Sequence, residues 1–146
     1  SSSFINGPMK WTLPSSLGSG STYIFPTGKG SGYLPFSLVN PTTGTGTVMA
    51  QVEAFAVNAG GSFDATLESI STTEYWSLAT TGNFTNSSIS LDRGISNDPL
   101  DVIGGSVSAA GTYTSLEGTP GATGVSGSDP IGTFRYFVLA IGYSNW

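Results

Sequence analysis

The feature that most limits how this 146-residue chain can fold is the lack of any sustained helical stripe. No window of about eleven residues or more keeps an apolar face at helical spacing without meeting Gly, Pro or a Thr cluster. Strand-like segments follow one another instead, at Ser3–Thr12, Thr22–Phe25, Tyr33–Val39, Thr47–Val57, Glu74–Thr80, Ser87–Asp92, Leu100–Ser108, Thr112–Leu116 and Thr133–Ile141. Turn chemistry separates them. Pro26 to Gly30, Asn40-Pro41 to Gly46, Ala59-Gly60-Gly61 and the long Gly118–Gly127 stretch supply fixed or permissive φ values. Eight or nine short strands without a helix predict an all-β, two-sheet antiparallel sandwich, Ig-like or jelly-roll-like. The length suits one domain over residues 1–146.

Alternation within the strands assigns faces. Leu34, Phe36 and Leu38 point one way; Ile89 and Leu91 alternate with Ser88, Ser90 and Asp92. Trp76 shares parity with Leu78, which favours a place for its indole between two sheets over a surface platform for a ligand such as a sugar ring, whereas Tyr75 faces the other side. The run FRYFVLAI (Phe134 to Ile141) is apolar on both faces apart from Arg135, as expected of a central strand covered on both sides. It is strand-sized, and no apolar run approaches the roughly 18–20 residues that a membrane helix needs.

Charge excludes several functions. Lys10, Lys29, Arg93 and Arg135 are the whole cationic complement against nine acids, a net charge of −5. Four cations cannot build the basic stripe that phosphate backbones require, so no nucleic acid is expected as a partner. Anionic membrane surfaces are disfavoured for the same reason, and no direct membrane insertion is expected. The chain has no Cys and no His. That removes thiolate and imidazole metal sites, Cys nucleophiles and Ser-His-Asp triads. Gly7 stands three residues before Lys10 and Pro26 three before Lys29, so no Ser-x-x-Lys frame exists. The carboxylates show no pair at a spacing that singles out glycosidase chemistry. The expected chain is not an enzyme.

The order of several short motifs resembles a known family. Ser3-Phe4-Ile5-Asn6-Gly7-Pro8-Met9 comes first, then Tyr23-Ile24-Phe25-Pro26-Thr27-Gly28 and Tyr33-Leu34-Pro35-Phe36-Ser37-Leu38. Glu74-Tyr75-Trp76-Ser77-Leu78 and Phe134-Arg135-Tyr136-Phe137-Val138-Leu139-Ala140 complete the series. Together they resemble a β-sandwich module of very large, type IX-secreted surface proteins of Bacteroidota. Family members often carry a Trp- and Asp-containing hairpin where this chain has the Trp-free DVIGGSVSAAGTYTSLEGT. The resemblance implies a secreted, cell-surface location and an adhesive or filament-forming role, with no reaction.

Candidate binding residues are few. Asp92, Asn97, Asp98 and Asp101 gather oxygen ligands of the kind calcium takes, although the spacing is not that of an EF-hand. The alternative is that Asp92 ends a strand while Asn97 and Asp98 cap a turn before Pro99. No other cofactor is expected. Trp11, Tyr33, Tyr75, Tyr113 and Trp146 are candidate contacts to a ligand or partner. Asn83-Phe84-Thr85 and Asn86-Ser87-Ser88 match the glycosylation sequon.

The chain begins at Ser1, not Met, and is expected to be a processed chain or one piece of a longer protein. Residues 1–12 and 142–146 could then pair with neighbouring copies or adjacent domains through open strand edges. Three roles follow from these observations. The first is a structural or adhesive surface module. The second is a carbohydrate-binding module, which needs coplanar exposed aromatics. The third is a phage decoration or fibre protein.

Overall fold

A computed structural model describes residues 4–143. Sixteen strands follow one another without a helix among the described residues. The first eight are β1 (Ile5–Asn6), β2 (Met9–Leu13), β3 (Thr22–Phe25), β4 (Thr27–Lys29), β5 (Gly32–Tyr33), β6 (Phe36–Thr43), β7 (Val48–Phe55) and β8 (Ser62–Phe63). Then come β9 (Leu67–Ile70), β10 (Tyr75–Thr81), β11 (Phe84–Asp92), β12 (Val102–Ser106), β13 (Thr112–Ser115), β14 (Thr119–Pro120), β15 (Gly124–Ser126) and β16 (Tyr136–Gly142). The all-β sandwich expected from the sequence is the observed fold, with nearly twice the expected number of strands. The surplus consists mostly of two- to four-residue pieces in stretches rich in Gly, Ser, Thr and Pro. These pair through the backbone and carry little apolar alternation.

Two sheets form the sandwich. An eight-stranded sheet has the order β2-β7-β10-β16-β12-β13-β8, with β9 also paired to β16. A five-stranded sheet has the order β14-β15-β11-β6-β3. A third, three-stranded sheet (β1-β4-β5) lies against β7. Pairing is antiparallel except for β1 with β4 and β13 with β8. In the large sheet the path β2-β7-β10-β16 is antiparallel at every step. The chain therefore enters β2 and leaves β16 toward the same rim.

The core fills the space between the two main sheets. Trp76, Phe25, Phe36, Phe137, Leu38, Ile89 and Leu139 are all fully buried there. Phe36 bridges the layers, with Phe25 on its edge at 5.9 Å and Phe137 at the same centroid distance. A second, smaller cluster on the other side of the large sheet contains Leu67, Val102, Tyr113, Val138 and Ala140. Strand β16 is thus buried on both faces, as its sequence indicates: Phe137 to Ala140 are all inaccessible. Each fully buried large apolar side chain contributes on the order of 1.5–3 kcal/mol.

Two irregularities shape this frame. Strand β6 runs through Asn40-Pro41, which reads as a separator in the sequence. Asn40 adopts a left-handed φ of 55°, and the β6–β11 register slips opposite it, so the proline sits in a bulge where no ladder donor is needed. Strands β9 and β10 form a second irregularity. Both pair with the same flank of β16, β9 at Ala140–Gly142 and β10 at Tyr136–Phe137. Ser71 still donates its N–H to Leu139 O at 2.8 Å, and Thr72 to Glu74 leave the ladder before β10 begins.

Candidate functional site

Trp76 is a core residue. Its ring is fully buried, and its Nε1–H donates to the Leu34 carbonyl oxygen at 3.0 Å. Thr27 Oγ1 donates to that same oxygen at 2.8 Å, so one carbonyl is held from two sides.

The aromatic side chains proposed as contacts separate into different environments. Trp11 is 39% exposed, yet its Nε1–H donates to Ile24 O at 2.8 Å and its ring meets Tyr23 edge-on at 5.7 Å. Because Trp11 lies on edge strand β2 and Ile24 on edge strand β3, this indole closes the seam between the two sheets. Tyr75 is half-buried and stacks on Phe55 at 4.6 Å. Lys29 Nζ lies 5.4 Å from the Phe55 ring and 3.4 Å from Glu53 Oε2. Tyr33 is half-buried and stacks on Phe4 at 6.0 Å. Tyr113 corrects the expectation of exposure, because it is fully buried and its hydroxyl donates to Ala109 O at 2.8 Å. The loop before β8 lies directly on its ring. At Gly61 a Cβ would fall 2.6 Å from a Tyr113 ring carbon, so only a glycine fits without displacement. Burial pushes the Tyr113 hydroxyl well above the usual tyrosine range. Trp146 lies outside the described residues. Tyr75 packs, with Tyr136, against the smaller cluster that contains Tyr113, whereas Trp11 and Tyr33 lie elsewhere, so the four form no common exposed platform.

The oxygen-rich segment is distributed in a similar way. Asp92 Oδ1 accepts from the Gly94 N–H at 2.7 Å and Oδ2 from Thr123 Oγ1 at 2.9 Å. Asp101 Oδ1 accepts from the Gly142 N–H at 2.9 Å. Asn97 is buried, and its Nδ2 donates to Leu100 O at 2.9 Å. Asp98 is exposed, with its N–H directed at Ser96 Oγ at 3.4 Å. Among the described residues no three His, Cys, Asp or Glu side chains are grouped so that they could hold a metal ion. Asp92 thus caps the turn at Gly94 and ties the end of β11 to Thr123, while Asn97 holds the Leu100 carbonyl.

The Ser71–Glu74 segment carries a polar cluster that the sequence did not single out. Glu74 is only 5% exposed. Its carboxylate accepts from Ser71 Oγ and from Thr73 Oγ1, and lies 3.2 Å from Arg93 Nη2. Arg93 follows β11 in the opposite sheet and also donates to Ser96 O at 3.2 Å. This ion pair, buried at Glu74 and partly exposed at Arg93, therefore pins the break in the large sheet to the end of the small one. Proximity of Glu74 to Trp76 in the sequence was visible; the partner, nineteen positions away on another sheet, was not.

A concavity of about 700 Å³ lies on the outer face of the five-stranded sheet. Hairpin β14–β15 lines one end, and Ile24, Tyr33 and Pro35 line the other. The hairpin is held close because a Cβ at Gly124 would collide with the Leu91 carbonyl oxygen. Across the floor, register aligns Ile24 with Ser37, Ser37 with Ser90, Ser90 with Ser126, and Ser126 with Thr119. This row runs perpendicular to the strands and carries four hydroxyl groups.

No protein-family model, curated protein or solved structure matches this chain. The likeness to the Bacteroidota surface modules thus rests on the sequence motifs alone.

Proposed function

We propose that this chain is a non-enzymatic structural or adhesive module of the cell exterior, acting as a repeat of a surface protein or as the subunit of a surface filament. The observation that carries this reading is where the reactive side chains are spent. Glu74, a deeply buried carboxylate, holds Arg93 and closes a break in a sheet. Asp92 and Asp101 tie down loops through backbone donors. Trp76 is packed as framework with its indole N–H satisfied internally. With no His or Cys in the sequence, the side chains most used for proton transfer near neutral pH and for thiol chemistry are missing.

Low charge and a surface rich in Ser, Thr, Asn and Gly support an extracellular setting. The edge strands β2 and β3 provide a route to assembly, since an edge strand offers main-chain groups to a neighbouring strand. Neighbouring copies or adjacent domains of the same surface protein are the partners this reading names.

The test is sedimentation velocity over a wide concentration range, combined with electron microscopy of the native material. Concentration-dependent association into linear assemblies, or chains of such modules on cell surfaces, is the expected result. A strictly monomeric profile together with a measured hydrolytic or transferase activity would overturn the reading.

A further inference from the structure

The groove on the outer face of the five-stranded sheet has a composition that selects its occupant. Its floor is sheet whose main-chain groups are already paired between β6, β11 and β15. A peptide adding itself as a strand would find no free backbone ladder there, so recognition must come from side chains. Those side chains are hydroxyls. Ser37, Ser90, Ser126 and Thr119 line the groove, with Ser90 Oγ 3.4 Å from Ser126 Oγ. Each hydroxyl can donate one hydrogen bond and accept others. No Lys or Arg lines the groove, which leaves nothing to compensate a phosphate, sulfate or carboxylate. Its one acidic side chain, Asp92, already accepts hydrogen bonds at both oxygens from Gly94 and Thr123. Ile24, Tyr33 and Pro35 supply C–H and ring surface at one end.

We propose that this groove binds a neutral, extended polysaccharide lying across the strands along the Ser37–Ser90–Ser126–Thr119 row. The row repeats at the interstrand spacing of about 4.8 Å. That is close to the advance per sugar ring in an extended pyranose chain, so successive rings can meet successive hydroxyls. The volume lies within the range of roughly 300–1,000 Å³ typical of ligand sites. Sugar hydroxyls satisfy both the donor and acceptor capacity of serine, whereas an apolar ligand would strand these groups. The inference rests on the adhesive reading, names what such a module would adhere to, and puts a row of hydroxyls where an aromatic platform was expected of a carbohydrate-binding module.

Affinity electrophoresis of the intact chain through gels containing hydroxyethylcellulose, galactomannan or alginate tests it. Retardation by at least one neutral polymer, and not by anionic alginate, is expected. The triple variant Ser37→Val, Ser90→Val, Ser126→Val keeps strand-compatible residues on the outer face. It should lose affinity by about tenfold or more, the equivalent of one or two hydrogen bonds. Ser90→Thr, which keeps the hydroxyl, should retain binding. If the triple variant does not fold, Ser126→Ala with Thr119→Ala probes the same row at two exposed positions. The proposal is overturned by no retardation in either neutral polymer, by undiminished retardation of the folded variants, or by alginate binding as strong as neutral binding. A chain that assembles into filaments yet ignores these polymers would keep its structural role and lose this one.

Discussion

The indole of Trp76 and the backbone of Leu34, 42 residues apart, are joined by a fully buried 3.0 Å hydrogen bond. The bond links strand β10 of the large sheet to the segment that leads into β6 of the small one. It converts a large apolar filler into a positioned one, because the ring can satisfy its N–H in one orientation only.

Truncating Trp76 to Ala should therefore destabilise the chain by about 3–5 kcal/mol in urea unfolding. Trp76→Phe should cost less, since Thr27 Oγ1 still donates to the Leu34 oxygen. Removing both donors, in Trp76→Phe with Thr27→Val, leaves that carbonyl unsatisfied. The double variant should lose more than the sum of the single losses, by about 1–3 kcal/mol. An additive result would show that the shared acceptor is unimportant.

The Glu74–Arg93 pair predicts a different pattern. Arg93→Leu leaves the buried Glu74 carboxylate without its partner and should cost about 3–5 kcal/mol, whereas Glu74→Leu leaves a partly exposed guanidinium and should cost less. Replacing both with Leu should cost clearly less than the sum of the two single losses, because neither charge remains unpaired. Equilibrium unfolding of the four chains completes the cycle.

Stability should respond to pH at both extremes. Hydrogen bonds from Thr114 and Thr66 hold the Asp64 carboxyl below its usual value of 3.8. A carboxylate with a lowered folded pKa stabilises above its unfolded pKa, and that contribution disappears as pH falls through the folded value. Tyr113 behaves oppositely. Burial raises its pKa above the usual value near 10, so its contribution is intact below that pH and is lost as pH rises through the folded value. Thermal unfolding from neutral to strongly alkaline pH, followed alongside tyrosinate absorbance, should show one tyrosine that titrates only as the fold melts. Tyr113→Phe should remove that late step.

Calcium should leave the melting temperature unchanged relative to chelator. Both carboxylate oxygens of Asp92 and one of Asp101 already have protein donors, and Asn97 holds the Leu100 carbonyl. A rise in melting temperature that grows with calcium concentration would contradict this arrangement.

The strands most legible in the sequence are those with strong apolar alternation. Parity placed Leu34, Phe36, Leu38, Trp76, Leu78, Ile89 and Leu91 on the core side, and all are buried. The two-faced apolar run gave β16 its central position. Strands β4, β8, β14 and β15 escaped notice because their residues are mostly Gly, Ser, Thr and Pro, which also read as turns. Val125 is the one apolar residue of β15, and a single such residue shows no period. Tyr113 was misplaced for a related reason. Strand parity says which face a side chain takes, but the cover over that face comes from the loop around Gly61, distant in sequence. The hydroxyl row was hidden more deeply. Each serine is visible as an outward position, but their alignment depends on which strands become neighbours and in what register.

The antiparallel path from β2 through β7 and β10 to β16 has a mechanical consequence. Tension applied between the start of β2 and the end of β16 enters at one rim of the large sheet, since both lead there. Such a load peels β2 away from β7 one hydrogen bond after another, with Trp11 as the first lock to be broken, and does not strain the whole ladder at once. The fold would then yield gradually under traction and lengthen instead of holding as one rigid block.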